Sequence, residues 1–240
     1  MKLPITLASL AALGTLLAFT QARKPVVVAE YATPLKGRTQ GQRHNALLAG
    51  NRLNGVVIED GATFSFNEVV KSWSKDQGYV RAPVSFNGQL VSAYGGGVCQ
   101  TSTTLYNAAL LAGMEVVERS RHHFAPTYCP PGRDSAVAFS SIDLKLKNNT
   151  GTRLRIQVKP MGDRLVVQLL ADRDIPQATV TQVVHQKTDP STFRLEGDNP
   201  RLRNSGKPGF DVSVFRTTAK GKELISHDLY PAMHRIEEGG

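Results

Sequence analysis

Between Thr101 and Gly113 the apolar residues Leu105, Ala108, Ala109 and Ala112 recur at i, i+3, i+4 and i+7. That spacing predicts a helix with one apolar stripe, ended by a glycine where a left-handed residue is wanted. A second helix is predicted over residues 45–53. Ala46, Ala49, Gly50 and Leu53 lie on one face, and Asn54-Gly55 is the stop. Elsewhere the dominant period is two. Val26–Tyr31, Val56–Ile58, Met114–Arg119 and Arg164–Leu170 read as strands, and Phe64 and Phe66 face the same way. Tyr79–Ser92 reads as a hairpin around Asn87-Gly88. Leu144/Leu146 and Leu154/Ile156/Val158 alternate on either side of Asn148-Asn149-Thr150-Gly151, a second expected hairpin. After a proline-rich loop, Asp134–Phe139 is expected to lead into a further strand.

The sum is an α+β fold, with few helices packed on a largely antiparallel sheet. A chain of 240 residues can bury a core without disulfide staples. Composition turns polar at Ala171-Asp172-Arg173-Asp174, which divides the main domain, residues 23–171, from a C-terminal extension, residues 172–240. Alternation in Asp211–Arg216 and Glu223–Leu229 makes that extension a small β-rich appendage with weak packing of its own.

The first 22 residues set the expected compartment. Met1-Lys2 is a positive start, Ile5–Ala18 is apolar but short for a bilayer, and Thr20-Gln21-Ala22 offers a small-residue cleavage point. Residues 1–22 read as a secretory signal or an uncleaved N-terminal anchor, so the chain is expected outside the cytoplasm, secreted or in the cell envelope. Membrane contact is expected only through that segment, if it stays attached. Lys and Arg total 29 against 20 Asp and Glu, a net charge of +9. Such a chain is drawn to polyanions. No zinc-finger spacing, recognition helix or basic-aromatic interleaving accompanies the charge, which argues against nucleic acid as partner.

The chemistry concentrates at Gly95-Gly96-Gly97-Val98-Cys99-Gln100. Three glycines allow a tight turn and close backbone approach. Cys99 falls at or just before the predicted helix start, where free N–H groups and the helix dipole favour thiolate. Against this stands the inert reading of a small buried cysteine.

The same residues carry a resemblance. Asp60-Gly61, Phe64-Ser65-Phe66-Asn67, Gly78-Tyr79, Ala82-Pro83-Val84, Gly95–Gln100, Ser102–Ala108, Glu118-Arg119, Gly132-Arg133-Asp134 and Asp143-Leu144-Lys145 together resemble the VanW family, over about residues 40–170. The resemblance implies a bacterial envelope protein associated with the cell wall and with glycopeptide resistance. It implies no settled biochemical activity. By count from Arg119, His122 takes the place of the family histidine. His123 replaces a serine, and Cys129 stands where an aromatic or aliphatic residue is usual.

Two function classes follow. In the first, Cys99 is a nucleophile, His122 its base and Asp134 the group that orients the base. The order Cys–His–Asp resembles papain- and transglutaminase-like enzymes. The Cys99 N–H, Gly97 and Gln100 would support an oxyanion, and Ser102, Thr103 and Tyr106 could line a ligand site. The reaction would be acyl transfer or amide hydrolysis on wall peptides. In the second class, the chain is a non-catalytic module that binds peptidoglycan or an anionic wall polymer. Cys99 is then buried, or bridged to Cys129, the other of the two cysteines. The hydroxyls at 101–104 would then cap the helix. Adjacent His122 and His123, without Cys-x-x-Cys spacing, argue against a metal centre, and no cofactor is expected. His44, His185, His227 and His234 read as surface residues without partners.

Overall fold

A computed structural model describes residues 24–86, 89–196 and 201–239. The 1–22 segment and the Asn87-Gly88 turn lie outside the described residues. A four-stranded antiparallel sheet is ordered Val26–Pro34, Arg164–Ala171, Leu154–Met161, Val57–Ile58. Its Leu154, Ile156, Leu165, Val167 and Leu169 are buried, as the two-residue period requires. A smaller sheet is ordered Thr63–Ser65, Lys145–Lys147, Glu115–Glu118, and Arg81–Phe86 pairs with Gln89–Tyr94 as a hairpin. The helices are α1 (Gln40–Leu53), the short α2 (Phe66–Val70) and α3 (Val98–Leu111). The fold is α+β with antiparallel sheets. One parallel pair, Thr192–Leu195 with Met233–Glu238, occurs among the described strands. No helix of the described residues is long and apolar enough to cross a membrane.

Helix α1 begins five residues before the expected start because Thr39 and Gln42 form a reciprocal capping box. Helix α3 also starts early, at Val98 instead of Thr101, with Gly97 as its N-cap. Its end follows expectation. Gly113 has a φ of 78°, its N–H reaches the Leu110 carbonyl, and the Met114 N–H reaches the Ala109 carbonyl. Those paired bonds form a Schellman cap.

The single apolar stripe does not describe α3. Twelve of its fourteen residues are buried, Cys99 and Leu111 being the exceptions. A helix packed all round must partner its polar groups with protein. Thr101 Oγ1 donates to the Ala46 carbonyl on α1, and Thr104 Oγ1 meets Thr33 Oγ1 on the large sheet. Ser102 and Thr103 Oγ atoms donate to the Ser135 carbonyl, and Asn107 Nδ2 to that of Arg133. The hydroxyl run therefore bolts α3 to three neighbours.

Two strand expectations fail for a related reason. Residues 134–139 form no strand, only the isolated bridges Ser120–Ala136 and Ala138–Ile142, because α3 side chains claim the Ser135 backbone. The hairpin around residues 148–151 is also absent. Lys145–Lys147 pairs in the small sheet and Leu154–Met161 in the large one. Between them, Asn148 Nδ2 donates to the carbonyls of Ile58 and Thr152 and turns the chain from one sheet to the other.

After residue 172 the chain forms two three-stranded sheets. One is ordered Thr179–Thr188, Gly209–Thr218, Gly221–Tyr230, and the other Thr192–Leu195, Met233–Glu238, Arg201–Lys207. The first is tied to the rest of the protein. Arg216 Nη1 donates to the Met114 carbonyl, Gln182 to Pro131, and Tyr230 packs with Ala125.

Candidate active site

The glycine run is fixed by what surrounds it. A Cβ on Gly96 would lie 2.7 Å from the Pro83 carbonyl, and one on Gly97 would run into the Gln42 carbonyl of α1. Gly97 also has a φ of 110°, which side chains rarely adopt. These glycines press the start of α3 against the hairpin and α1, and so fix where Cys99 points.

Cys99 is the second residue of α3 and is partly exposed. The N–H groups of its neighbours Val98 and Gln100 are taken by the carbonyls of Gly95 and Gly97. That of Cys99 has no partner among the described residues. The Cys99 thiol donates to the Val137 carbonyl oxygen at 3.3 Å, and the His122 ring is near enough to act on its acidity. His122 Nδ1 is 2.6 Å from Asp134 Oδ2, and the His122 backbone N–H donates to the same oxygen at 2.7 Å. With Nδ1 on the carboxylate, the other ring nitrogen is left for the sulfur. The sequence-predicted Cys99, His122 and Asp134 thus lie in one cluster, with His122 between the sulfur and the carboxylate.

Asp134 is fully buried, and its second oxygen accepts from Arg119 Nη2 at 3.0 Å and from the Tyr230 hydroxyl. Arg119 Nη1 spans both oxygens of Asp228 at 2.7 Å, while Nε donates to the Asp134 carbonyl. Burial pushes the Asp134 carboxyl up, but hydrogen bonding and charge from His122, then Arg119 and Tyr230, outweigh it and hold it at about 2. For His122, burial works against the charged ring, yet Asp134 and Cys99 raise it to about 10. Burial likewise raises the Cys99 thiol. The hydrogen bond and charge of His122, helped by the Val137 backbone, bring it below its ordinary value. The three groups therefore favour a thiolate–imidazolium pair over a neutral one. The Tyr128 ring meets His122 edge-on at 6.5 Å, and the Arg38 guanidinium stands over Tyr128 at 4.6 Å.

Other expected site residues lie elsewhere. Gln100 is buried and spends its amide donors on Thr33 Oγ1 at 3.0 Å and the Pro34 carbonyl at 2.8 Å, so it cannot face an oxyanion at the sulfur. Gly97 serves close packing. Ser102, Thr103 and Tyr106 have no exposed surface and line no ligand site. Cys129 and Cys99 are both free thiols, so no bridge occupies Cys99 in this structure. Burial pushes the Cys129 thiol well up, which leaves it a poor nucleophile.

Nothing in the sequence marks Arg119, Asp228 and Tyr230 as partners of one site. Arg119 stands in the family-like Glu118-Arg119 pair and Asp228 in an alternating stretch, but neither pattern says which distant charge each meets.

Residues 41–170 match the family model described as VanW like protein. The chain is 33% identical over 156 residues to "Uncharacterized protein YoaR" of Bacillus subtilis (strain 168), covering 62% of this chain and 52% of that protein. It is 34% identical over 139 residues to "Vancomycin B-type resistance protein VanW" of Enterococcus faecalis (strain ATCC 700802 / V583), covering 56% of this chain and 50% of that protein. The chain spans about half the length of these curated relatives. No solved structure matches it.

Proposed function

The chain belongs to the VanW family, and we propose that it is an envelope thiol enzyme that cleaves or transfers peptide acyl groups on the cell wall. The observation that carries this reading is the connected Cys99–His122–Asp134 arrangement on a buried carboxylate. The wall as substrate rests on the net charge of +9, suited to an anionic polymer, on the signal-like start, and on the relative named for vancomycin resistance. In the first step the Cys99 thiolate attacks the carbonyl carbon of a peptide amide, and the carbonyl oxygen gains charge beside the Cys99 N–H. The C–N bond breaks as the His122 imidazolium gives its proton to the departing amine, leaving a thioester on Cys99. Neutral His122 then takes a proton from water or from an acceptor amine, which attacks the thioester and releases an acid or a new amide with the thiolate restored. Asp134 holds the ring in position throughout.

The test is the rate of Cys99 alkylation against pH on the unreduced protein, read by mass spectrometry, followed by incubation with wall peptides to trap the thioester. Alkylation is expected to rise with a midpoint below the free-thiol value of about 8.5. In His122→Ala the midpoint moves above it, because burial remains while the opposing charge is gone. Turnover should fall again as pH approaches about 10, where His122 loses the proton the leaving amine needs. A wild-type midpoint at the ordinary value, or no thioester with any wall peptide, would leave the chain a wall-binding module.

A further inference from the structure

We infer that the outer face of the C-terminal sheet holds a divalent transition-metal site built from His185, Asp211 and His227. Sequence treats the two histidines as unpartnered surface residues, 42 positions apart by number. The sheet brings them together. Thr179–Thr188 and Gly221–Tyr230 flank the central strand Gly209–Thr218. Asp211 and Ser213 are two residues apart on that strand and share a face. His227 lies directly opposite Ser213. On the other side the register runs Val184 to Val212 and then Gln186 to Asp211, so His185 is the extra residue of a β-bulge. The bulge turns His185 over the same face, where its Nε2 is 2.9 Å from Ser213 Oγ. His227 Nε2 is 2.6 Å from Asp211 Oδ1, and the two imidazole rings are 5.6 Å apart between centroids. One donor atom from each of the three residues lies within 4.8 Å of the others.

The donor set selects the ligand. Two imidazoles and one carboxylate suit zinc, nickel or copper(II), and do not suit calcium or magnesium, which need more oxygen donors. Three protein ligands leave a further position open to water. An ion there replaces the proton between His227 and Asp211 and ties all three strands together. The backing is rigid, since Val212 and Val214 on the opposite face are fully buried. Ser213 Oγ, 2.9 Å from His185 Nε2, holds that ring over the face. Such a clamp stabilises the sheet whose inward Asp228 and Tyr230 hold Arg119 and Asp134.

The experiment is zinc titration of the untagged full chain by calorimetry, with cobalt(II) absorption as a second readout and circular dichroism to confirm that each variant folds. One zinc per chain is expected, with a rise in melting temperature. Binding should be at least about tenfold weaker in His185→Ala, Asp211→Asn and His227→Ala. Cys99→Ser should bind as the wild type does, and cobalt should show no sulfur charge-transfer band. Absence of binding at about 100 µM zinc would overturn the inference. So would binding that survives His227→Ala and disappears in Cys99→Ser, which would place the ion on the thiolate. Equal binding of calcium or magnesium would overturn it as well.

Discussion

The Tyr230 hydroxyl donates to Asp134 Oδ1 across 96 positions of chain. Both residues are buried, and the same hydroxyl accepts from the Gly132 N–H at 3.1 Å and from Arg119 Nη2 at 3.3 Å. The carboxylate that orients His122 is therefore held from the far side by the C-terminal sheet. A buried hydrogen bond to a charged group is worth about 1.5–3 kcal/mol. Tyr230→Phe is expected to lower stability by about 2 kcal/mol in denaturant unfolding, and to slow Cys99 alkylation at neutral pH several-fold as the ring loses its fixed support. Tyr94→Phe, at an exposed tyrosine, should change neither. An unchanged alkylation rate in Tyr230→Phe would show that the tail does not position the site.

Asp134 sets an acid limit on the folded state. Its carboxyl is held at about 2, below the ordinary 3.8. A depressed carboxyl stabilises the folded state fully above the unfolded value and loses that contribution as pH falls through the folded one. The contribution is about 2 kcal/mol, lost between about pH 4 and pH 2. Asp134→Asn removes it and leaves Arg119 and His122 short of a buried partner, so a loss of about 3 kcal/mol is expected at pH 7. Stability curves of the two proteins should converge as pH drops below 4. A gap that stays constant with pH would mean that Asp134 acts only as a packed side chain.

Gly97 and Gln100 flank the cysteine and should behave differently. Gly97→Ala forces a Cβ onto the Gln42 carbonyl at a φ of 110°, so α3 must shift. A loss of about 3 kcal/mol or more is expected together with a raised Cys99 alkylation midpoint. Gln100→Ala leaves the Pro34 carbonyl and Thr33 Oγ1 without their donor and should cost about 1–2 kcal/mol, yet keep the alkylation midpoint. If Gln100→Ala abolished turnover of a wall peptide while stability held, the amide would have to reach the oxyanion in the substrate complex.

The sequence by itself determined the local features. The period of three to four residues marked α1, and alternation marked strands of the large sheet, because burial on one face imposes those spacings; the same period located α3, though that helix is packed all round. Gly113 marked its cap, since few residues accept a left-handed conformation, and the glycine–cysteine segment marked the family and the residue to watch. Cys99, His122 and Asp134 could be named in order because each type has a distinct chemical role.

Tertiary structure decided everything that depends on which distant groups share a buried space. Alternation at Leu146 and Leu154 could not tell one sheet from two, because the two-residue period records which face is buried and not which strand lies alongside. The hydroxyls of Ser102 and Thr103 could cap, bind or brace, and only the nearness of the Ser135 backbone made them braces. Arg119, Asp228 and Tyr230 gained their roles in the same way. A charge or hydroxyl has a fixed valence but no address in the sequence, and its partner is set by the packing of strands brought together across a hundred residues.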